Sequence, residues 1–263
     1  MTQRTGLANQ KIDAFKAIMN EGTIRAQLKN SLKDKSGAFA SSMVSYYSND
    51  KGLLNCDPYD VAIECLKAAF LDLPLSNSLG FAYVVPYKNK PTFTIGYKGY
   101  IQLAMRTGQY KTINADCVYE GEFTGKNKLS GEVFLDGEKE SDEVIGYFAY
   151  YKTTNNFEKT IYMTKEEITA WAKKYSPSFN TSFSPWKTEF DKMAQKTVLR
   201  RLISTYGIMS IQMQDALSSD NDSVEDVRAN VNNEIGTNAN SVIIDISQED
   251  MHLIDEVIPE PEY

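Results

Sequence analysis

Residues 78–110, SLGFAYVVPYKNKPTFTIGYKGYIQLAMRTGQY, decide the fold class. FAYVVPYK and PTFTIGYK are rich in β-branched and aromatic side chains that suit a pleated surface, and KNK between them suits a hairpin loop. GYIQLAMRTGQ then reads as a helix closed by Gly108. A hairpin running directly into a helix predicts an α+β chain with an antiparallel sheet core packed against helices.

Upstream of this block the pattern is helical. NQKIDAFKAIMN carries apolar residues at helical spacing with Gly22 as a stop, Thr23 caps TIRAQLKNSLKD, and AFASSMVSYYSND reads as a third segment. Asp57 and Pro58 open PYDVAIECLKAAFLDL as a cap and first-turn pair, with Pro74 as its limit. Downstream, YKTINADCVYEGE, EVIGYFAYYKT and FEKTIYMT alternate as strands, and the polar stretch FTGKNKLSGEVFLDGEKESD between the first two reads as a mobile loop. Thr164 starts the helix KEEITAWAKKY, and Ser184 with Pro185 caps one long helix that runs to Tyr206 and is ended by Gly207.

Charge divides the chain in two. Residues 216–263 hold twelve Asp or Glu against Arg228, a net of −11, while residues 1–215 hold 27 cations and 23 anions, a net of +4. A mildly basic body thus carries an acidic tail, and the whole-chain charge of −7 hides what the body can bind. The expected organisation is a core over 1–217, helical and making subunit contacts over 1–54. It is followed by 218–263, a flexible acidic linker with a short apolar element that docks a partner.

Much chemistry is absent. One histidine, His252, excludes most zinc sites and His-based triads, and Cys56, Cys65 and Cys117 show no CxxC spacing, as in a reducing cytoplasm. No run of eighteen apolar residues exists and no apolar signal core opens the chain, so a cytoplasmic protein without a membrane span is expected. GEFTGKNK departs from a phosphate-binding loop because its glycines are one residue too close and no Ser or Thr follows Lys126. Asp136, Glu138 and Glu140 read as a solvated acidic turn rather than a metal site. No cofactor is expected.

What remains is cationic. Lys192, Lys196 and Arg200 recur every four residues in DKMAQKTVLRR, forming one drifting row with no carboxylate inside the stretch to pair it; Asp191 projects elsewhere. Arg201 lies off that row, towards the face of Trp186 and Phe190, where a structural ion pair is the competing role. A second cluster holds Lys88, Lys98, Arg106 and Lys111. Lys98 lies between Gly96 and Gly99, which permit close backbone approach at the start of a helix, a plausible phosphate seat. Tyr97 is the aromatic chosen for base stacking, while Phe93 and Tyr83 are expected in the core and Trp186 is a packing anchor.

Two blocks carry a family resemblance. Ser78–Tyr110 resembles the most recognisable segment of the RecT family of phage recombinases. SPWKTEFDKMAQKTVLRRLI, from Ser184 to Ile203, resembles its second signature, a tryptophan followed by a helix bearing K-x-x-x-R-R. Order and spacing of both blocks agree, over roughly Asn55 to Ala216, and the position of Lys98 is also basic in that family. The resemblance implies ATP-independent, sequence-independent binding of single-stranded DNA and pairing with a complementary strand through an annealed duplex intermediate. It further implies a homo-oligomeric ring or helical filament encoded by a phage or prophage in a bacterial cell. Implied partners are a phage exonuclease and the host single-strand binding protein, whose acidic tip the acidic tail would repel. The competing readings are a metal-dependent nuclease of the same pathway and a passive single-strand coat. A tail that competes with DNA for the groove is a further expectation.

Overall fold

The computed structural model describes residues 2–176, 178–182, 184–211, 213, 214 and 217, with side chains from residue 7 onward. The predicted acidic linker and docking element, 218–263, lie outside the described residues.

The N-terminal region is helical as expected: α1 (Thr2–Asn20), α2 (Gly22–Leu32), α3 (Ser36–Asn49) and α4 (Pro58–Phe70). Glu21, extended at ψ 140°, breaks α1 from α2, so Gly22 opens the second helix instead of stopping the first. The apolar row Ile24, Leu28 and Leu32 buries one side of α2, and Phe15 of α1 stacks on Tyr47 of α3 at 4.5 Å. Asp57 caps α4 by accepting from the amides of Tyr59 and Asp60. This helix stops at Leu71, before Pro74, where Asp72 turns left-handed at φ 48°.

From α4 the core passes into the first sheet. β1 (Ala82–Tyr87) and β2 (Lys90–Ile95) pair antiparallel from Ala82↔Ile95 to Tyr87↔Lys90. The loop is the two residues Lys88 and Asn89, both left-handed at φ 50° and 63° as a tight hairpin requires. Glu64 of α4 ties the layers, accepting from the Phe93 amide at 2.7 Å while pairing with Lys67. Then α5 (Tyr97–Arg106) ends at Gly108, left-handed at φ 68°.

The second sheet has the order β3–β6–β7, all antiparallel, from β3 (Tyr110–Tyr119), β6 (Val144–Thr153) and β7 (Glu158–Thr164). The polar stretch before β6 is not one structureless loop. It holds a small hairpin, β4 (Gly125–Lys126) and β5 (Val133–Phe134), and the backbones of Glu120 and Glu122 bond across it to Glu140, Glu143 and Gly137. α6 (Lys165–Tyr175) starts on a capping box between Thr164 and Glu167. α7 (Pro185–Thr188) is capped by Ser184, and α8 (Phe190–Tyr206) crosses the second sheet. The predicted long helix is therefore two, divided at Glu189 (φ −141°, ψ 50°). Trp186 anchors the joint as expected, buried among Trp171, Phe179 and Phe190.

Alternation explains how α8 is seated. Tyr147, Ala149 and Tyr151 point from the central strand to one side, opposite Cys117, Ala115 and Ile113 of β3 and Met163, Ile161 and Lys159 of β7. The Tyr147 hydroxyl donates to Asp191 at 2.6 Å, near the start of α8, and the Tyr151 hydroxyl donates to the Tyr206 carbonyl at its end. Asp191 thus faces the sheet, away from the cation row, as its helical position predicts.

Candidate nucleic-acid interface

The row Lys192, Lys196 and Arg200 is aligned on α8 as the spacing demands, but it does not line an open face. Lys192 is exposed and its ammonium sits 2.6 Å from Glu189, the residue that divides the two helices. That hydrogen bond and charge hold the lysine above its ordinary value, with a smaller contribution from the nearby Tyr83 phenol. Lys196 and Arg200 retain only 8 % and 7 % of their surface. The expectation of a row left unpaired is corrected here, and the cause is the helix around it. α8 packs against β3, β6 and β7 and also against α5, and Ala194, Val198, Leu199, Leu202 and Ile203 are all buried. Apolar residues on two flanks leave the cations between them little solvent. Arg201 is exposed, with its guanidinium 3.7 Å from the Met163 sulfur on β7, so it lies beside the sheet rather than against Trp186.

The glycine-flanked lysine region is built by close approach, though by the chain itself. A Cβ on Gly96 would fall 2.1 Å from the Gly80 carbonyl oxygen, and one on Gly99 would fall 2.1 Å from that of Phe81. The Gly96 amide donates to Phe81 at 2.9 Å. The room that was expected to admit a phosphate is filled by residues 80 and 81, which lock the start of α5 to the strand before it. Lys98 projects from this joint, exposed, with its stem over Gly80: Cδ is 3.7 Å from the point where a Gly80 Cβ would stand. The Tyr83 hydroxyl is 3.5 Å from the same point. Tyr83, expected in the core, is half-exposed, whereas Phe93 is fully buried as expected.

The structure therefore brings one member of each basic cluster to a common corner. Lys98 of α5 has its stem beside Gly80, near the Tyr83 hydroxyl, and Lys192 of α8 lies within electrostatic reach of the same phenol, on a helix that packs against α5, although 94 positions separate the two lysines in the chain. The other candidates are dispersed. Lys88 is at the exposed tip of the β1–β2 hairpin, and Lys111 is the exposed residue of the irregularity between Tyr110 and Thr112 in β3. Arg106 serves the fold: its guanidinium donates to the carbonyls of Leu71 (2.6 Å) and Asp72 (2.7 Å), closing the end of α4, and lies 3.7 Å from the Asp72 carboxylate. Tyr97 is half-buried, packed on the core, and donates to the Ala115 carbonyl at 3.3 Å. Burial pushes its phenol above the usual value.

The sequence reading assigned no role at the site to Gly80 or Glu189 and placed Tyr83 in the core. Glu189 had a signal, since a carboxylate three residues before a lysine is within reach on a helix. Of the acidic turn, Asp136 accepts from the Thr124 hydroxyl and Glu138 and Glu140 are exposed. Among the described residues no three His, Cys, Asp or Glu gather as metal ligands, and no helix is long and apolar enough to cross a membrane.

Comparison with known proteins matches residues 37–233 to the RecT family. The chain is 40 % identical over 233 residues to the uncharacterized protein YqaK of Bacillus subtilis (strain 168), covering 88 % of this chain and 80 % of the relative. It is 32 % identical over 176 residues to protein RecT of Escherichia coli (strain K12), covering 63 % of this chain and 64 % of the relative.

Proposed function

Since this chain belongs to the RecT family, and with it to the single-strand annealing proteins of recombination, we propose that it holds the backbone of single-stranded DNA in a multimer and pairs it with a complementary strand without ATP. Annealing makes and breaks no covalent bond. Its obstacles are repulsion between phosphates, structure within each strand, and alignment. A protein lowers the first by neutralising one backbone while leaving base edges open to the partner strand.

The observation that carries this reading is the corner at Tyr83, where Lys98 and Lys192 stand exposed beside each other's elements. They come from the two family signature blocks, so the recognisable parts of the sequence converge on one cationic surface. Arg201 adds an exposed cation on α8, Lys88 and Lys111 add others on the β1–β2 turn and on β3, and Lys196 and Arg200 supply positive charge from the covered part of α8. Tyr83, partly exposed near the Lys98 stem, is a better candidate than Tyr97, whose hydroxyl is engaged by the Ala115 carbonyl, for contact with a base or sugar. A protomer that neutralises about four to six phosphates binds weakly alone, so side-by-side protomers, in a ring or a helical filament, are needed for a long strand.

The test is to mix labelled complementary strands with the full chain and follow duplex formation. Intact strands paired faster than in buffer support the reading, together with a log–log salt slope of about −3 to −4 per protomer. Shortened strands in magnesium would instead identify a nuclease, and protected strands that pair no faster would identify a coat. Binding indifferent to salt contradicts a backbone contact.

A further inference from the structure

A further group of exposed cations lies on and just beyond α2. Arg25 and Lys29 stand about one turn apart on the helix, and Lys33, its C-cap residue with a left-handed backbone at φ 50°, follows; all three are exposed. Among the described residues no carboxylate lies within ion-pair distance of any of them. Four residues of helix advance about 6 Å, which matches roughly every second phosphate of a stacked strand at about 3.4 Å per nucleotide. The row also precedes the stretch matched to the family, which begins at residue 37.

From these residues we propose that α2 carries a second site for a single-stranded phosphate backbone, distinct from the corner at Tyr83, and that it holds the incoming strand during annealing. The proposal rests on the annealing function above. What favours nucleic acid over a protein partner is the rest of the helix surface. Its large apolar residues, Ile24, Leu28 and Leu32, all face inward. The outward positions are Gly22, Thr23, Arg25, Ala26, Gln27, Lys29, Asn30 and Ser31, with Lys33 at the C-cap. A subunit interface centres on buried apolar and aromatic anchors with charge at its rim, and none is available here. A polyanion needs only accessible cations at regular steps on a rigid support. Like charges at adjacent turns repel, so α2 is destabilised slightly by the row until an anion lies along it.

The experiment compares the full chain with R25Q/K29Q/K33Q and with the charge-preserving R25K/K29R/K33R. Each is first loaded on an unlabelled strand and then challenged with a labelled, non-complementary strand, which reports the second site without pairing. For the glutamine variant the expected results are first-strand affinity within about twofold of the parent, loss of second-strand retention, and annealing on the order of tenfold slower. The salt slope of second-strand binding in the parent should exceed the residual slope in this variant by about 2, three contacts at about 0.7 each. Melting temperature and mass on DNA by light scattering should not change, and the charge-preserving variant should behave as the parent. Parental retention and annealing in the glutamine variant would overturn the proposal, leaving a solvated face. A smaller assembly would overturn it by making the row a subunit contact, and equal loss of both strands would overturn it by merging the row with the first site. If the parent retains a second strand but accelerates no annealing, the functional reading fails while the α2 site stands.

Discussion

Two sets of three cations, each spaced by four residues, lie on α8 and on α2 with its C-cap, and they meet opposite surroundings. On α2, Arg25, Lys29 and Lys33 face solvent; on α8, Lys196 and Arg200 are covered and Lys192 is held by Glu189. Spacing alone does not distinguish them, because it fixes alignment along a helix and says nothing about what lies above. The distinction is in the apolar residues. α2 has one apolar row and therefore one buried side, while α8 has apolar residues on two flanks and is packed between a sheet and α5. A cation row is a surface only where the helix buries a single side.

The largest expected effect tests how α8 is seated. Tyrosine hydroxyls tie it to the sheet, and burial pushes the Tyr151 phenol up to about 12, with Tyr46 and Tyr47 of the helical region also raised to about 12. The Tyr147 phenol is raised further by burial and by its bond to Asp191. A phenol is neutral when protonated, and its folded value here exceeds the unfolded value of 10.0. The stability these groups contribute is therefore complete below pH 10 and is lost as pH climbs through about 12. Melting curves should be flat with respect to these groups up to pH 10 and fall steeply above it. A melting temperature unchanged at pH 12 would mean the hydroxyls do not hold the helix.

The next effect separates the rows directly. Arg200→Ala removes a covered side chain and the packing it fills, at a cost of about 1–3 kcal/mol, or roughly 3–10 °C in Tm. Lys29→Ala, on an exposed helix face, should stay within about 0.5 kcal/mol of the parent. Equal melting temperatures for the two variants would erase the contrast between the helices. Loss of DNA binding by Arg200→Ala is thus informative only beside its melting curve.

What could be read from the sequence follows the range of the forces involved. The Asp57 cap, the Thr164 capping box, the Ser184 cap and the β1–β2 hairpin were legible because each depends on residues within a few positions of one another. The α2–α8 contrast was half legible: the single row Ile24, Leu28 and Leu32 announces one buried side, whereas α8 needs its partners in the second sheet to be known. The glycines at 96 and 99 were read correctly as close-approach positions, but the approaching group is the chain's own residues 80 and 81. Nothing local distinguishes a carbonyl neighbour from a phosphate. The fold role of Arg106 was hidden for the same reason, since the carbonyls it caps lie 34 and 35 residues earlier. The break at Glu189 was hidden by the helix signals on either side of it.

The smallest effect concerns the one position where the α8 row reaches solvent. Glu189 and Lys192 retain 53 % and 75 % of their side-chain surface, so their pairing at 2.6 Å adds little stability, and Glu189→Gln should leave the melting temperature essentially unchanged. Its consequence for DNA is different in kind. In the parent, a phosphate must displace the carboxylate before it can use the Lys192 charge, whereas in Glu189→Gln the ammonium is available at once. Lys192 loses the partner that raised its affinity for a proton, but a lysine returned towards its ordinary value of 10.5 is still charged at neutral pH. Single-strand binding should therefore tighten about two- to threefold near 0.1 M salt, and the salt slope should steepen by up to about 0.7. Lys192→Ala should flatten it by a similar amount. If titrations at several salt concentrations show neither change, Lys192 touches no phosphate. The corner at Tyr83 would then lose its claim, and α2 would present the cation row better placed for a strand.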